Sequence, residues 1–192
     1  RNAARKRLPE LLDSARSRLD EFGRLQYLNQ PNVKEARGGL RDAALVGALA
    51  ASWLADRPHG TYDEAVARLL DVRDCIHLAA NKDTNLLLAA YQDKVAAMLG
   101  LADPTLPAGG EREAKSIDDL QTMLARIGRR IAFSLDATAS RAEHSLMHER
   151  PRSPLSRLAQ LRGHGRRQAP TFHVVAEGVA EHEGEIVLAP DC

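Results

Sequence analysis

Residues 31–42, PNVKEARGGLRD, separate two stretches whose apolar residues recur at helical spacing. Gly38 and Gly39 stand just before the predicted start of the second helix, and residues without side chains let backbone amides turn outward toward a ligand. A helix N-terminus presents unpaired N–H groups and a partial positive charge, which favour an anion. The segment predicts either a phosphate or carboxylate site, or a plain loop with a Gly-Gly helix entry and solvated charges.

Charged side chains surround the two glycines. Lys34, Arg37 and Arg41 add three cations at short range. Asp42, in the first turn of the predicted helix, is expected to cap that helix or to orient a neighbouring arginine. These side chains strengthen the prediction of an anion site.

Arg73 and His77 are unusual for their position in the sequence. They share a helical stripe with apolar residues, namely Val66, Leu69, Leu70 and Ile76. A charged arginine on an apolar face needs a partner, because an unpaired buried charge costs several kcal/mol. The candidate partners are Asp42, Asp71, Asp74 or a ligand.

Around this segment, apolar periodicity predicts a mainly α fold, an antiparallel array of about five helices. The predicted helices cover residues 7–28, from near Leu40 to near Pro58, from Thr61 to the interruption at 81–83, from near Leu87 to Gly100, and from near Ser116 toward residue 148. The predicted inward residues include Leu8, Leu11, Leu12, Leu45, Leu49, Trp53, Leu69, Leu70, Ile76, Val95, Met98, Leu120, Leu124, Ile131 and Leu135.

Local signals place the predicted helix ends. Pro9 suits a first turn, Thr61 with Glu64 forms a capping-box pair, and Ser116 with Asp119 resembles a cap. The second helix is rich in alanine, which suggests close approach of other helices on several sides: Ala43, Ala44, Ala48, Ala50 and Ala51.

The composition changes after residue 150, which sets the predicted domain boundaries. Residues 1–150 form the predicted helical domain, and residues 151–171, rich in Arg, Pro and Gly, form a predicted linker. Residues 172–192 are predicted to form a small β-hairpin with Gly184 at its turn. Because a lone hairpin is marginal in water, it is expected to lead to or pack on a further domain.

Composition excludes several classes of function. The 192 residues have a net charge of +1, whereas a dedicated nucleic-acid binder is usually strongly basic. The two arginine clusters, near residues 1–7 and 150–167, are therefore read as solvated faces and linker or as a docking site for an anionic partner. No apolar run approaches about 18 residues, so no membrane span is expected. Cys75 and Cys192 form no disulfide or zinc pattern, which favours a cytoplasmic location.

Motifs for chemistry are absent from the sequence. There is no Asp-x-Asp pair to hold two metal ions, no His-Asp dipeptide, no Walker-type Gly-Lys-Ser/Thr and no Gly-x-Ser-x-Gly. No catalytic residue and no metal ligand is therefore assigned within this chain.

The segments in order resemble the protein-PII uridylyltransferase/uridylyl-removing enzyme family. The similarity lies in NVKExxGGLRD at 32–42, VRxxIHL at 72–78, YQDKVAxxLG at 91–100, the helix at 119–131 and the β segment at 178–188. It implies a larger enzyme with an upstream nucleotidyltransferase core, this helical region, a downstream HD-type phosphohydrolase domain and two glutamine-sensing ACT domains. The start at Arg1 rather than Met agrees with a piece of such an enzyme.

The resemblance implies a function in nitrogen signalling. Enzymes of the family move UMP from UTP to a tyrosine of the signalling protein PII and remove it again, with Mg²⁺ bound by carboxylates outside this piece. The piece alone is then expected to be inactive. The nucleotide- or phosphate-binding candidates are Lys34, Gly38, Gly39 and Arg41, and the supporting candidates are Asn32, Arg37, Asp42, Arg73 and His77.

Two other functions stay open at this point. The helices are alternatively a non-catalytic scaffold that spaces the catalytic domains or binds PII, with the 31–42 segment as a salt-bridge anchor between domains. A basic helical nucleic-acid binder is the least favoured alternative. The predicted partners are thus PII, UTP and other domains of the same chain, with neither nucleic acid nor membrane.

Overall fold

The structure is a computed structural model that describes residues 2–148 and three strands between residues 173 and 188. The chain divides into two units, Arg1–Arg150 and Pro151–Cys192. The described residues of the first unit form five α-helices and one short 3-10 helix, which confirms the prediction of a mainly helical fold. The helices are α1 (Asn2–Phe22), α2 (Leu40–Ala51), α3 (Tyr62–Ala80), α4 (Ala89–Met98) and α5 (Gly110–His148), with the 3-10 helix at Leu25–Tyr27.

Helix α5 organises the first unit. Its 39 residues span about 58 Å at 1.5 Å per residue, and it contacts α1, α2, α3, α4 and the 3-10 helix. Buried residues recur along α5 at intervals of three, four or seven, so one continuous face is turned to the core. This face includes Leu120, Leu124, Ile127, Ile131, Leu135 and Ala142.

The helix boundaries inside the first unit agree with several sequence signals. Helix α2 begins at Leu40, directly after the two glycines. Asn81 ends α3 in the left-handed conformation, and its amide donates to the carbonyl of His77. Gly100, with φ of +73°, follows the end of α4. At each of these points the predicted break is confirmed.

Two predicted helix starts are wrong. Helix α1 begins at Asn2, so Pro9 lies inside it rather than in its first turn. Leu8 and Leu12 on either side of Pro9 are buried, and this packing offsets the backbone hydrogen bond that proline cannot make. Ser116 is likewise buried inside α5, where its hydroxyl donates to the carbonyl of Glu113.

The predicted Thr61–Glu64 capping box is also wrong. Thr61 makes no side-chain cap hydrogen bond, and its φ and ψ of −73° and 8° are close to helical. A side-chain cap needs an extended residue at this point, which brings the hydroxyl over the free amides.

Trp53 does not belong to the core as predicted. Helix α2 ends at Ala51, and Trp53 follows with φ of +60° and 81% of its surface exposed. Leu54 takes the buried position instead. Leu11, Leu70 and Met98, which were also predicted to face inward, are partly exposed.

In the second unit the structure describes three short strands, His173–Ala176, Val179–His182 and Glu185–Leu188. They pair antiparallel in chain order, with Val179 opposite Leu188 and His182 opposite Glu185. Gly184 and the predicted linker at 151–171 lie outside the described residues, so the predicted hairpin turn and the linker stay predictions.

Candidate functional site

The N-terminal end of the 31–42 segment is hydrogen-bonded to residues 85–87, just before α4. The amide of Val33 donates to the carbonyl of Asn85 at 2.9 Å, and the amide of Leu87 donates to the carbonyl of Pro31 at 3.0 Å. The Asn32 side-chain oxygen accepts hydrogen bonds from the amides of Lys34 and Glu35, at 3.1 and 3.0 Å. Asn32 therefore shapes the turn itself.

The two glycines serve close packing inside the protein. Gly38 has φ of +85°, and a Cβ at this position would lie 2.3 Å from the carbonyl oxygen of Gly128 on α5. A Cβ on Gly39 would lie 2.7 Å from the carbonyl oxygens of Val33 and Ala36. The missing side chains thus let the segment touch α5 and fold tightly on itself.

The backbone amides at the start of α2 do not turn outward as predicted. Gly38 donates to the Asp42 carboxylate at 2.8 Å, and the amide of Gly39 donates to the carbonyl of Ala36 at 2.8 Å. The next two amides, those of Leu40 and Arg41, donate to carbonyls of the same segment at 3.0 Å. Because these donors are already used, an anion at this site would have to be held by side chains.

Asp42 is the centre of a buried ion network. It is 1% exposed and accepts from the Gly38 amide and, at 3.1 Å, from the Arg18 guanidinium of α1. The Arg37 guanidinium lies 3.4 Å from the same carboxylate and also donates to Asp136 on α5. Asp42 therefore orients two arginines, as predicted. It does not cap α2, because the amide that it accepts from belongs to Gly38, which precedes the N-cap residue Gly39.

Of the three predicted cations, Arg37 differs from the other two. Its side chain is only 11% exposed and pairs with two carboxylates. Arg41 is more than half exposed, and its Nε lies 3.1 Å from both Glu35 oxygens. Lys34 is half-buried and has no ion pair within residues 2–148. Lys34 and Arg41 are thus the cations that remain suited to meet a ligand.

Arg73 and His77 are not brought to Asp42. The Arg73 guanidinium lies 3.7 Å from Asp74, which makes Asp74 its partner among the predicted candidates, and its buried Nε makes no hydrogen bond. His77 Nε2 lies 3.4 Å from Asp83, also without a hydrogen bond. These two residues form a separate region on α3.

Several residues that hold the segment have no signal in the sequence. Arg18 and Asp136 lie 24 and 99 positions from their partners, and no spacing rule connects them. Gln92 and Gln121 both donate to the carbonyl of Asn29, at 2.5 and 2.9 Å. Only Gly128 offers a hint, because a glycine inside a helical pattern often marks close packing.

A cavity of about 250 Å³ lies beside the network, between α1 and α5. Apolar side chains such as Leu12 and Leu135 line part of the cavity. Its polar lining comes from Arg16, Arg24, Arg37, Asp136, Ser140 and Glu143. A parallel β-bridge joins the backbone of Arg24 to that of Arg37, and both residues line the cavity.

Metal-binding clusters and membrane-spanning helices are both absent from the described residues. Nowhere among them do three or more His, Cys, Asp or Glu residues come close enough to hold a metal ion. No helix in this part of the chain has both the length and the apolar character that a membrane crossing requires.

Comparison with known proteins shows one consistent similarity. Residues 6–52 and 44–126 match the family described as GlnD PII-uridylyltransferase. The chain is 42% identical over 189 residues to the bifunctional uridylyltransferase/uridylyl-removing enzyme of Streptomyces coelicolor, covering 98% of this chain and 21% of that enzyme. It is 34% identical over 199 residues to the enzyme of that name from Mycobacterium tuberculosis, which covers 100% of this chain and 22% of that enzyme.

A third relative, the enzyme of the same name from Corynebacterium glutamicum, is 34% identical over 128 residues, which cover 65% of this chain and 18% of that enzyme. The chain spans about a fifth of the length of the curated relatives it matches. No solved structure matches it.

Proposed function

This chain belongs to the GlnD PII-uridylyltransferase family, as its sequence motifs predict, and from that membership we propose that it is the helical region of a bifunctional uridylyltransferase/uridylyl-removing enzyme. The parent enzyme, meaning the full-length protein that would contain this chain, moves UMP from UTP to a tyrosine of PII in the cytoplasm and removes it again. The observation that carries the proposal is the 42% identity over 98% of the chain.

Within the parent enzyme, the 31–42 segment forms one wall of the nucleotide site. The side chains of Lys34 and Arg41 face the phosphates of UTP, since the amides of the segment are occupied. Arg37 and Asp42 hold the segment in place, and Gly38 and Gly39 allow it to pack on α5. Asn32 shapes the turn that carries Lys34.

The chemistry of transfer belongs to other parts of the parent enzyme. A tyrosine oxygen of PII forms a bond to the α-phosphorus of UTP while the bond to the β-phosphate breaks and pyrophosphate leaves. Such a step needs Mg²⁺ and carboxylates that hold it. The described residues lack a group suited to that ion, so its ligands and all catalytic residues are proposed to lie outside this chain.

A nucleotide titration of the parent enzyme tests the site. Each of Lys34→Ala and Arg41→Ala is expected to raise the Kd for UTP about tenfold or more, because a hydrogen bond to a charged group contributes about 1.5–3 kcal/mol. Matched controls are Lys94→Ala on α4 and Arg126→Ala on α5, two exposed cations whose removal is expected to leave the Kd unchanged. Unchanged UTP affinity in both site variants would sink the assignment.

The alternative is a non-catalytic scaffold that spaces the catalytic domains or binds PII. The internal use of the amides and the burial of Arg37 favour it, because both are features of an anchored loop. Under this alternative the Lys34 and Arg41 variants lose stability or domain docking, while UTP binding by the correctly folded fraction survives. Measuring both the unfolding transition and the UTP Kd separates the two functions.

A further inference from the structure

An open apolar groove lies between α2 and α3, away from the ion network. It encloses about 280 Å³, and its apolar lining comes from both helices. From α2 the lining includes Leu40, Ala44 and Gly47, and from α3 it includes Val66 and Leu70. Leu70 is 39% exposed, so part of its apolar side chain faces solvent.

Gly47 is the residue that marks this groove as a contact surface. It lies in the middle of α2, where glycine is less favourable than alanine because it gives up more backbone freedom. Gly38 and Gly39 each lie against other backbone atoms, but a Cβ on Gly47 would meet nothing within 4 Å. No packing within the described residues therefore accounts for glycine at position 47.

The exposed face of α2 continues the groove toward its C-terminal end. Ala44, Ala48 and Ala51 are exposed and lie at helical spacing beside Gly47. Next to them, Trp53 and Arg57 line a second cavity of about 460 Å³, and Arg57 lines both cavities. Tryptophan and arginine are the side chains that contribute most often to binding energy in protein interfaces.

We infer that this groove docks an amphipathic helix of the parent enzyme that lies outside these 192 residues, with a large apolar side chain seated over Gly47. The inference rests on the proposed function, because the relatives of this chain are about five times its length. A helix fits best, since a row of small residues lets two helix axes approach to about 8 Å.

The rim of the groove indicates the polar chemistry of that helix. Arg73 lines the groove, and its one ion pair within residues 2–148 is the 3.7 Å contact with Asp74. Arg57 and Asp63 also line it and form an ion pair in which both side chains are more than half exposed. Carboxylates flanking the apolar side chain of the docking helix would complement these two arginines.

Site-resolved cysteine labelling tests the inference. Ala44→Cys places a thiol on the exposed face, and its rate of reaction with N-ethylmaleimide is measured by peptide mass spectrometry in the 192-residue chain and in the parent enzyme. We expect reaction at position 44 to be at least tenfold slower in the parent enzyme. Background from Cys75 is resolved by position, and burial raises the pKa of that thiol, which lowers its thiolate fraction.

A second substitution asks whether the occupant sits over Gly47. Adding Gly47→Leu to Ala44→Cys is expected to restore fast labelling at position 44 in the parent enzyme, while adding Ala97→Leu on the exposed side of α4 leaves the protection unchanged. The unfolding midpoint of the 192-residue chain with Gly47→Leu is expected to stay equal or rise, which shows that the variant folds.

Three results would overturn the inference. They are equal labelling rates in the two proteins, protection that begins only when PII is added, and protection that Gly47→Leu leaves intact. The labelling experiment does not involve UTP, so the two proposals can fail separately. If position 44 is not protected but the Lys34 variant binds UTP more weakly, the docking inference is wrong and the proposed function stands. If position 44 is protected but the Lys34 and Arg41 variants bind UTP with unchanged affinity, the nucleotide-site assignment is wrong and the docking inference stands.

Discussion

The two ends of helix α2 differ in how their conspicuous residues are used. At the N-terminal end, Arg37 and the two glycines of residues 31–42 are held inside the protein by contacts with Asp42, Asp136 and Gly128. At the C-terminal end, the apolar Trp53 is turned to solvent with φ of +60°. The charged Arg37 is thus largely buried and the apolar Trp53 is exposed, the reverse of what the polarity of these side chains suggests.

The physical reason lies in the partners that each end meets. Helix α5 runs past the N-terminal end of α2 and supplies both a carboxylate and a glycine backbone there. Because Arg37 and Asp42 are paired and the amides are hydrogen-bonded, these groups can be buried there. At the C-terminal end, Leu49 and Leu54 occupy the buried positions, and the Trp53 side chain stays exposed.

The largest expected effect concerns the contact between the motif and α5. Gly38→Ala places a Cβ 2.3 Å from the Gly128 carbonyl oxygen and strains a backbone at φ of +85°, so the free energy of unfolding should fall by about 4 kcal/mol. Gly100→Ala is the matched control, since its φ is +73° but its Cβ meets nothing within 4 Å; we expect a loss of about 1 kcal/mol. Urea unfolding measures both, and equal losses would contradict the close contact.

The next effect concerns the charge at the centre of the network. Asp42→Asn leaves the half-buried guanidiniums of Arg18 and Arg37 without their shared anion, and we expect a loss of about 3 kcal/mol in the free energy of unfolding. Asp63→Asn removes an exposed partner of Arg57 and should cost less than about 1 kcal/mol. A loss at Asp42 as small as that at Asp63 would show that the network does not hold the motif.

A pair of adjacent substitutions tests the open end of α2. Leu54→Ala removes a buried side chain and should cost about 2–3 kcal/mol. Trp53→Gly relieves the positive φ and should change the free energy of unfolding by less than about 1 kcal/mol. Thermal unfolding of the two variants is the measurement, and the comparison of the two ends fails if Trp53→Gly costs as much as Leu54→Ala.

The smallest expected effect is an increase in the free energy of unfolding. Gly47→Ala in the 192-residue chain should raise the free energy of unfolding by about 1 kcal/mol, because alanine favours the helix and its Cβ meets no neighbour. Gly39→Ala is the contrasting variant, since its Cβ would press on three backbone oxygens of the motif turn, and it should destabilise the chain. A loss of stability at position 47 would indicate packing there.

Much of the fold could be predicted because its signals are local. The apolar periodicity of each helix, the glycines before Leu40, the break at Asn81 and the stop at Gly100 all act within a few residues. Such patterns survive in any tertiary context that buries the apolar face. The predicted starts at Pro9 and Ser116 are wrong because both residues lie inside longer helices, whereas α3 begins directly after Thr61 as predicted, although without the capping box.

The sequence predicts where in the chain the candidate site lies, but only part of its hydrogen bonds and ion pairs. Of the two roles predicted for Asp42, orienting an arginine is confirmed, whereas its amide hydrogen bond goes to Gly38, before the N-cap residue, and does not cap the helix. The burial of Arg37 and the close packing of Gly38 could not be predicted. They depend on Asp136 and Gly128 of α5, which lie about a hundred positions away in the sequence. No spacing rule in a single sequence links residues so far apart.

By itself, the sequence determined that this chain is mainly helical, that α2 begins after a Gly-Gly pair, and that it belongs to the PII-uridylyltransferase family. Only the tertiary structure decided that the motif's amides are used internally, that Arg37 is buried while Arg41 is exposed, and that Trp53 lies outside the core. The division has one cause. Helix starts and motifs depend on short-range chemistry, whereas burial and charge pairing depend on which distant element arrives beside each residue.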